Sequence, residues 1–375
     1  VPLPEARYEA VVGAYGKRGS VAVDGPTLFM QGSILVLALI AALVMAERHV
    51  DPAGDSFAPR ASALPGSEDE QAFTRLGWFQ TEVWPLFLFS VGGMLLFPAS
   101  ADLLTMFIAL EVVSLPLYVL AGLARRRRLL SQEAALKYFV LGSYSSAFFL
   151  FGTALLYGYA GTVELSGIAD ALTANAGDAG LVVAGVALLM VGLLFKIGAA
   201  PFHQWTPDVY QGSPTSVTGF MAACTKVAAF GALLRVMYVA FGGIRWDWRP
   251  VMYVIAALTM IVGTLFALTQ TDIKRMLAYS SVAQAGFMLV GVLATNAAGL
   301  SGTMIYLVAY GVATLGAFAI VTLVRDATGE ATHLSQWAGL GKKSPLVAAS
   351  FALFLLAFAG IPLTSGFTGK FAVFT

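Results

Sequence analysis

The chain alternates long apolar runs with short polar stretches. A run of about 20 apolar residues is long enough to cross a bilayer as a helix. On that criterion the pattern predicts ten membrane helices, at roughly 26–46, 79–98, 102–123, 132–159, 181–200, 214–240, 250–270, 273–294, 303–325 and 345–361. Residues 1–25 read as a surface loop, and 47–77, charged and containing Pro, Gly and Ser, as an extramembrane loop. The expected fold is therefore an all-α polytopic membrane protein.

Two of the runs are interrupted. In VGLLFKIGAAPFHQWTPDVYQGSP (191–214), Lys196 lies inside the apolar run, and Gly198 and Pro201 then break the helix. Pro201 has no N–H, so the carbonyl of Ile197 loses its helical partner. The run at 345–361 breaks in the same way at Gly360 and Pro362. Broken backbone at membrane depth is tolerated only inside protein or beside a hydrated cavity. A buried ammonium needs the same surroundings. The two features together predict an ion or proton site.

Composition supports the membrane assignment and removes other classes. The chain is 58% hydrophobic and only 11% charged, with a mean hydropathy of +0.79, outside the range of a soluble core. A net charge of +1 predicts no nucleic-acid partner. One cysteine and three histidines are too few for an iron–sulfur or multi-histidine metal site, and no Gly-rich phosphate loop is present. The chain starts at Val1 and stops at Thr375 inside an apolar run, so it is expected to be a segment of a longer protein. Arg125–Arg128, Lys274–Arg275, Arg325 and Lys342–Lys343 fall on one side if the spans alternate, and positive charge marks that side as cytoplasmic.

The sequence also hints at duplication. DLLTMFIALEVVSLPLYVLAGL at Asp102 and DIKRMLAYSSVAQAGFMLVGVL at Asp272 are offset by 170 residues, and the breaks at Pro201 and Pro362 by 161. An odd number of intervening spans inverts the second copy. Interrupted spans in corresponding positions of two halves point to a transport site. The halves are taken as 79–240 and 250–375, the second incomplete.

Four charges are predicted near mid-membrane: Glu111, Lys196, Lys226 and Lys370. Each costs about 2.5–3.5 kcal/mol at a helix centre on insertion scales. A structural alternative, in which Glu111 pairs with one lysine and locks two helices, leaves the excess of lysines unexplained. Burial disfavours a charged amine, so buried lysines can exchange protons near neutral pH. A carboxylate 4 Å away opposes that by about 4 kcal/mol at an effective dielectric of 20. A coupled row of such groups suits a proton relay. Secondary candidates are His203 after the break, and Ser280, Ser281, Gln284 and Tyr306, which could hold water or simply hold helices together. Lys137, four residues after Glu133, suits a helical ion pair as well as a relay. Arg235 reads as an external interface anchor, Asp208 as part of a cytoplasmic loop, and Asp272, Lys274 and Arg275 as an orientation signal.

The strings EAALKYFVLGSYSSAFFLFG, GLLFKIGAAPFHQWTPDVYQGSPTSVTGFMA, QTDIKRMLAYSSVAQAGFMLVG and FAGIPLTSGFTGKF resemble the antiporter-like membrane subunits of proton-pumping NADH:quinone oxidoreductase, respiratory complex I. TPDVYQGSPTSVTGFMA resembles its N subunit rather than the sister L and M subunits. The resemblance runs over essentially the whole chain from the first span. It implies an antiporter-like fold with two inverted five-helix repeats and two broken helices, this segment carrying about ten of the family's fourteen membrane helices. It places the family's relay residues on Glu111, Lys137, Lys196, Lys226 and Lys370, and so favours a relay role for Lys137. The implied mechanism is a switchable Glu111–Lys196 ion pair, lateral transfer through Lys226 and release at Lys370. The resemblance further implies a non-redox translocase subunit in the cell inner (plasma) membrane. Its partners would be other membrane-arm subunits, including M and the small K subunit, and lipids. Flavin, iron–sulfur clusters and quinone would lie on partner subunits, with no cofactor on this chain. The alternatives are a related cation/proton antiporter or membrane hydrogenase subunit, and a non-pumping scaffold of the membrane arm. The lone deep acid, Glu111, argues against an oxygen-rich sodium site.

Overall fold

The computed structural model describes residues 19–50, 55–58, 60, 62–64, 67–76, 82–174, 178–326 and 329–375. Most of the expected 1–25 loop, and parts of 47–77, lie outside the described residues. The fold is almost wholly helical. In chain order come α1 (Gly25–Met45), α2 (Glu68–Arg75), α3 (Val83–Leu96), α4 (Leu103–Ala121), α5 (Arg128–Ala160), α6 (Leu165–Thr173) and α7 (Ala179–Ile197). Then follow α8 (Trp205–Gly212), α9 (Thr215–Ala240), α10 (Arg245–Leu268), α11 (Ile273–Ala294) and α12 (Ala297–Leu323). A small hairpin pairs β1 (Arg325–Asp326) with β2 (Gly329–Glu330), and α13 (Leu340–Lys343), α14 (Pro345–Ala359) and α15 (Ser365–Phe374) complete the chain.

Among the described residues, eight helices are long and apolar enough to cross a membrane: α1, α4, α5, α7, α9, α10, α11 and α12. The other two expected spans are shorter, at Val83–Ala99 and Pro345–Ala359. At ~1.5 Å per residue, fifteen residues reach only about 22 Å, because α14 stops at its glycine break. The expected 47–77 loop is also partly structured. It contains α2 and is stitched to the end of α4 by Ala58 N–H→Leu123 O (2.8 Å) and Arg125 N–H→Ser56 O (2.9 Å). Arg125 of the four-arginine run takes part in this stitching, pairing with Asp55 at 2.7 Å, while Arg127 reaches the segment after β2, donating to Thr332 Oγ1 at 2.8 Å.

Helix starts follow from capping side chains, which satisfy the otherwise unpaired N–H groups of the first turn. Asp24 accepts from Thr27 N–H, Asp102 from Thr105 N–H, Asp272 from Lys274 and Arg275 N–H, and Asn296 from Gly299 N–H. Close helix pairs rest on small residues, as expected where lipid supplies no hydrophobic drive. At the α5–α7 crossing a Cβ on Gly152 would come 2.5 Å from Leu189 N, and one on Gly185 would come 2.8 Å from Leu156 Cγ.

Two local motifs occur twice. Leu103 N–H donates to Val163 O and Leu165 N–H to Ala101 O, bridging the α4 start to the loop before α6. Ile273 N–H donates to Thr332 O and Leu334 N–H to Thr271 O, bridging the α11 start to the loop after β2. The helix ends before the two breaks also match. Gly198 (φ +79°) and Gly360 (φ +78°) both adopt the left-handed conformation. Gly198 N–H bonds Leu194 O and Phe195 O, and Gly360 N–H bonds Leu356 O and Ala357 O. At the centre stands α9, buried over its whole membrane-spanning window and π-helical at Met221–Thr225 and Val236–Ala240.

Candidate functional site

Both proline breaks free one backbone carbonyl each, and each freed carbonyl takes a lysine. Pro201 leaves Ile197 O without a helical donor, and Lys226 Nζ donates to it at 3.0 Å. Pro362 does the same to Phe358 O, and Lys370 Nζ donates to it at 2.8 Å. The end of a helix also carries partial negative charge, which favours a cation there. The sequence located the first freed carbonyl. The lysine that fills it is Lys226, from the facing helix α9, rather than the neighbouring Lys196.

Lys196 is 4% exposed and turns the other way. Its Nζ donates to Ser114 Oγ at 2.8 Å and Tyr138 OH at 3.3 Å. Ser114 follows Glu111 by three residues on α4, so both face the same helix side. Glu111 is near enough to act on Lys196 electrostatically, but among the described residues the two form no ion pair within 4 Å, and Glu111 Oε1 is buried without a hydrogen bond. The Ser114 hydroxyl occupies the ammonium that the expected Glu111 pair would hold.

Lys226, 2% exposed, makes a second bond, to Ser281 O at 2.9 Å. The Ser281 hydroxyl lies beside the hydroxyls of Tyr210 and Tyr310 without a well-formed bond of its own. One turn along α11, Gln284 Nε2 donates to Phe358 O at 2.9 Å. This is the carbonyl that holds Lys370. Tyr306 OH donates to Gln284 Oε1. Lys370 also donates to Ala359 O at 3.2 Å and lies 4.4 Å from the centre of the Phe287 ring. Lys196 and Lys226 are thus linked through neighbouring residues of one helix end, and Lys226 and Lys370 through α11 and α12.

The remaining candidates lie apart from this row. Lys137 is half-exposed and ion-paired with Glu133 and Asp208, both at 2.7 Å, and Asp208 also takes Arg275 at 2.5 Å. His203 is partly buried, its Nδ1 without a hydrogen bond, with its ring 6.2 Å from that of Tyr279. Ser280 is half-buried and outside the network. Three residues read as surface signals are interior, Arg128 among them at 5% exposed. Arg235 is 8% exposed and donates to Asp24 Oδ2 (2.6 Å), Thr27 Oγ1 (2.5 Å) and Pro98 O (2.6 Å), because α9 is enclosed by protein from Thr215 to Met237. Lys274 is 4% exposed and donates to Ser213 O at 2.6 Å. Reasoning from the sequence missed Ser114 and Tyr138. A serine one turn from a deep glutamate and two residues before Pro116 was the available signal.

Comparison with known proteins gives a consistent result. The family model described as NADH:quinone oxidoreductase/Mrp antiporter, TM matches residues 100–375. Subunit N of NADH-quinone oxidoreductase from Rhodococcus opacus (strain B4) is 65% identical over 393 aligned positions, covering 98% of this chain and 73% of that protein. Among solved structures, a chain of respiratory complex I from Thermus thermophilus with bound aureothin superposes with a TM-score of 0.74 at 36% identity, covering 99% of this chain and 74% of that one. A chain of the Mrp complex from Dietzia sp. DQ12-45-1b shares the fold, with a TM-score of 0.76 at 24% identity over 98% of this chain and 65% of that one.

Proposed function

The chain belongs to the NADH:quinone oxidoreductase/Mrp antiporter membrane family, and from that premise we propose that its buried lysines relay protons across the membrane arm of a respiratory complex. It is an antiporter-like membrane-arm subunit of the kind found in NADH-quinone oxidoreductase. The observation that carries the relay is the row itself, with Lys226 on Ile197 O and Lys370 on Phe358 O, each at a proline break.

In this reading Lys196 holds a proton shared with Ser114 and Tyr138. The unbonded Glu111 oxygen is the place to which its ammonium can swing, which makes the pair a two-position switch. Lys226 accepts the proton at the helix end beside Lys196, and Lys370 passes it on. Lys137 joins through Asp208 at the cytoplasmic side, and His203, Ser281 and Tyr306 support hydration or proton handling. Moving one charge against 100 mV requires about 2.3 kcal/mol, so transfer must be gated.

The duplicated motifs support two inverted repeats. Five helical crossings separate Asp102 from Asp272, which puts the two matching caps on opposite faces. The subunit acts as a non-redox translocase in the cell inner membrane. Flavin, iron–sulfur and quinone chemistry lies on partner subunits, and the M and K subunits are membrane-arm neighbours. A scaffold role is the competing reading, since buried charges can also lock helices.

The test is Lys196→Met in the intact complex, assayed in membrane vesicles for NADH oxidation and proton uptake after assembly is verified. The relay reading expects both to fall together. Normal pumping by the assembled variant would transfer the role of Lys196 to structure.

A further inference from the structure

Gln284 sits where the lysine row changes character. It is 5% exposed and bridges two sides of the network with the two ends of its amide. Phe358 O can only accept, so the amide NH₂ must face it, as the 2.9 Å contact has it. The carbonyl end then faces Tyr306, whose hydroxyl must donate. Both orientations are therefore fixed by chemistry. The Tyr306 proton points at an amide oxygen, and an amide neither takes up nor gives off a proton in the working range. Carrying one through would require the imidic-acid tautomer of Gln284.

Packing closes the obvious way round. Gly369 lets α15 lie directly on Tyr306, where a Cβ would come 2.7 Å from Cδ2. The Tyr306 and Gln284 side chains are both buried, and Phe358 O is already filled by Lys370 and Gln284. On one side of Gln284 stand Lys226, Ser281 and the tyrosines; on the other stands Lys370.

We infer that Gln284 is a non-titratable insulator that divides the lysine row, holding Lys370 in place while preventing proton flow between Lys226 and Lys370 in this conformation. Protons cross only when the Gln284 bridge opens. The inference rests on the relay reading and adds a gate to it. Putting a carboxyl at this position replaces the insulator with a carrier: it accepts a proton at the oxygen facing Tyr306 and releases one from the oxygen at the Phe358 carbonyl to a neutral Lys370, which binds the same carbonyl.

The experiment uses vesicles carrying the intact complex. A proton gradient is built by NADH oxidation, NADH is exhausted, and the decay of the gradient is followed. Gln284→Glu should collapse the gradient severalfold faster than the parent and lower the protons stored per NADH. Gln284→His, neutral like glutamine when deprotonated, should do the same with a pH-dependent leak, and decides the matter if the Glu variant does not assemble. Gln284→Met fills the space without titrating and should hold the gradient. Gradients held at parent lifetime by both titratable variants would overturn the inference. So would a Gln284→Met leak as fast as that of Gln284→Glu, because packing would then be the cause. A tight Gln284→Glu alongside a non-pumping Lys226→Arg overturns the insulator alone, whereas normal pumping by Lys226→Arg overturns the relay beneath it.

Discussion

Lys226→Met and Lys226→Arg form a pair that separates a relay from a structural brace. The Lys226 ammonium holds two backbone carbonyls, Ile197 O at 3.0 Å and Ser281 O at 2.9 Å, in a site where it is 2% exposed. Removing it leaves both buried carbonyls unsatisfied, at about 1–3 kcal/mol each. It also relieves the charge itself, worth about 2.5–3.5 kcal/mol at a helix centre. The two effects oppose each other and leave a net change of no more than a few kcal/mol, so Lys226→Met is expected to assemble. Truncation to Ala would add roughly 2–5 kcal/mol for lost packing and blur the result. Lys226→Arg keeps the charge and its donors but cannot release a proton. A brace predicts that Arg restores what Met removes. A relay predicts that both assemble and neither pumps. The assay is NADH-driven acidification of vesicles, normalised to the assembled complex. Wild-type stoichiometry in Lys226→Arg would refute the relay.

Gly360→Ala forces a β-carbon onto a left-handed residue (φ +78°), a strain of about 1–2 kcal/mol, and sets it 2.8 Å from Lys370 Cδ. Pumping should fall while the complex still assembles. Gly161→Ala, also left-handed but with no atom within 4 Å of its Cβ, is the control that should pump normally. Arg235→Leu strands the Asp24 carboxylate, 11% exposed and 2.6 Å from the guanidinium, a loss of about 3–5 kcal/mol. The yield and thermal stability of the complex should drop, and adding Asp24→Asn should recover part of both.

The sequence carried the parts of this site that follow from local chemistry. Gly198, Pro201, Gly360 and Pro362 mark the breaks because glycine and proline act on their own backbone. The freed Ile197 carbonyl follows from the missing N–H of Pro201 alone. What fills that carbonyl depends on which helix faces it, and a one-dimensional pattern does not record that Lys226 arrives from α9. Similarly, the depth of Glu111 and Lys196 is legible from span length, but Ser114 holding the ammonium in place of Glu111 depends on side-chain rotamers. Arg235 and Lys274 were misread for one reason. Charges near the ends of apolar runs normally mark the membrane surface, and here neighbouring segments cover both side chains, Asp24, Thr27 and Pro98 O over Arg235 and Ser213 O over Lys274. The run at 345–361 ends as a helix at Ala359, with Gly360 as its cap, where the glycine and proline marked the break.

The enclosure of α9 bears on how the protein is made. Its membrane-spanning window is wholly covered by neighbours, yet it carries Lys226 and Arg235, each of which costs about 2.5–3.5 kcal/mol to insert alone. Such a segment is expected to partition into lipid less readily on its own than the uncharged spans. It gains a place against helices already in the bilayer: α1 and α3 precede it and pack on it, and α1 with its cap and the turn after α3 supply Thr27, Asp24 and the Pro98 carbonyl for Arg235. Biogenesis is thereby ordered from the amino-terminal side. Depletion of an intramembrane chaperone should strand this subunit at α9 before any other span.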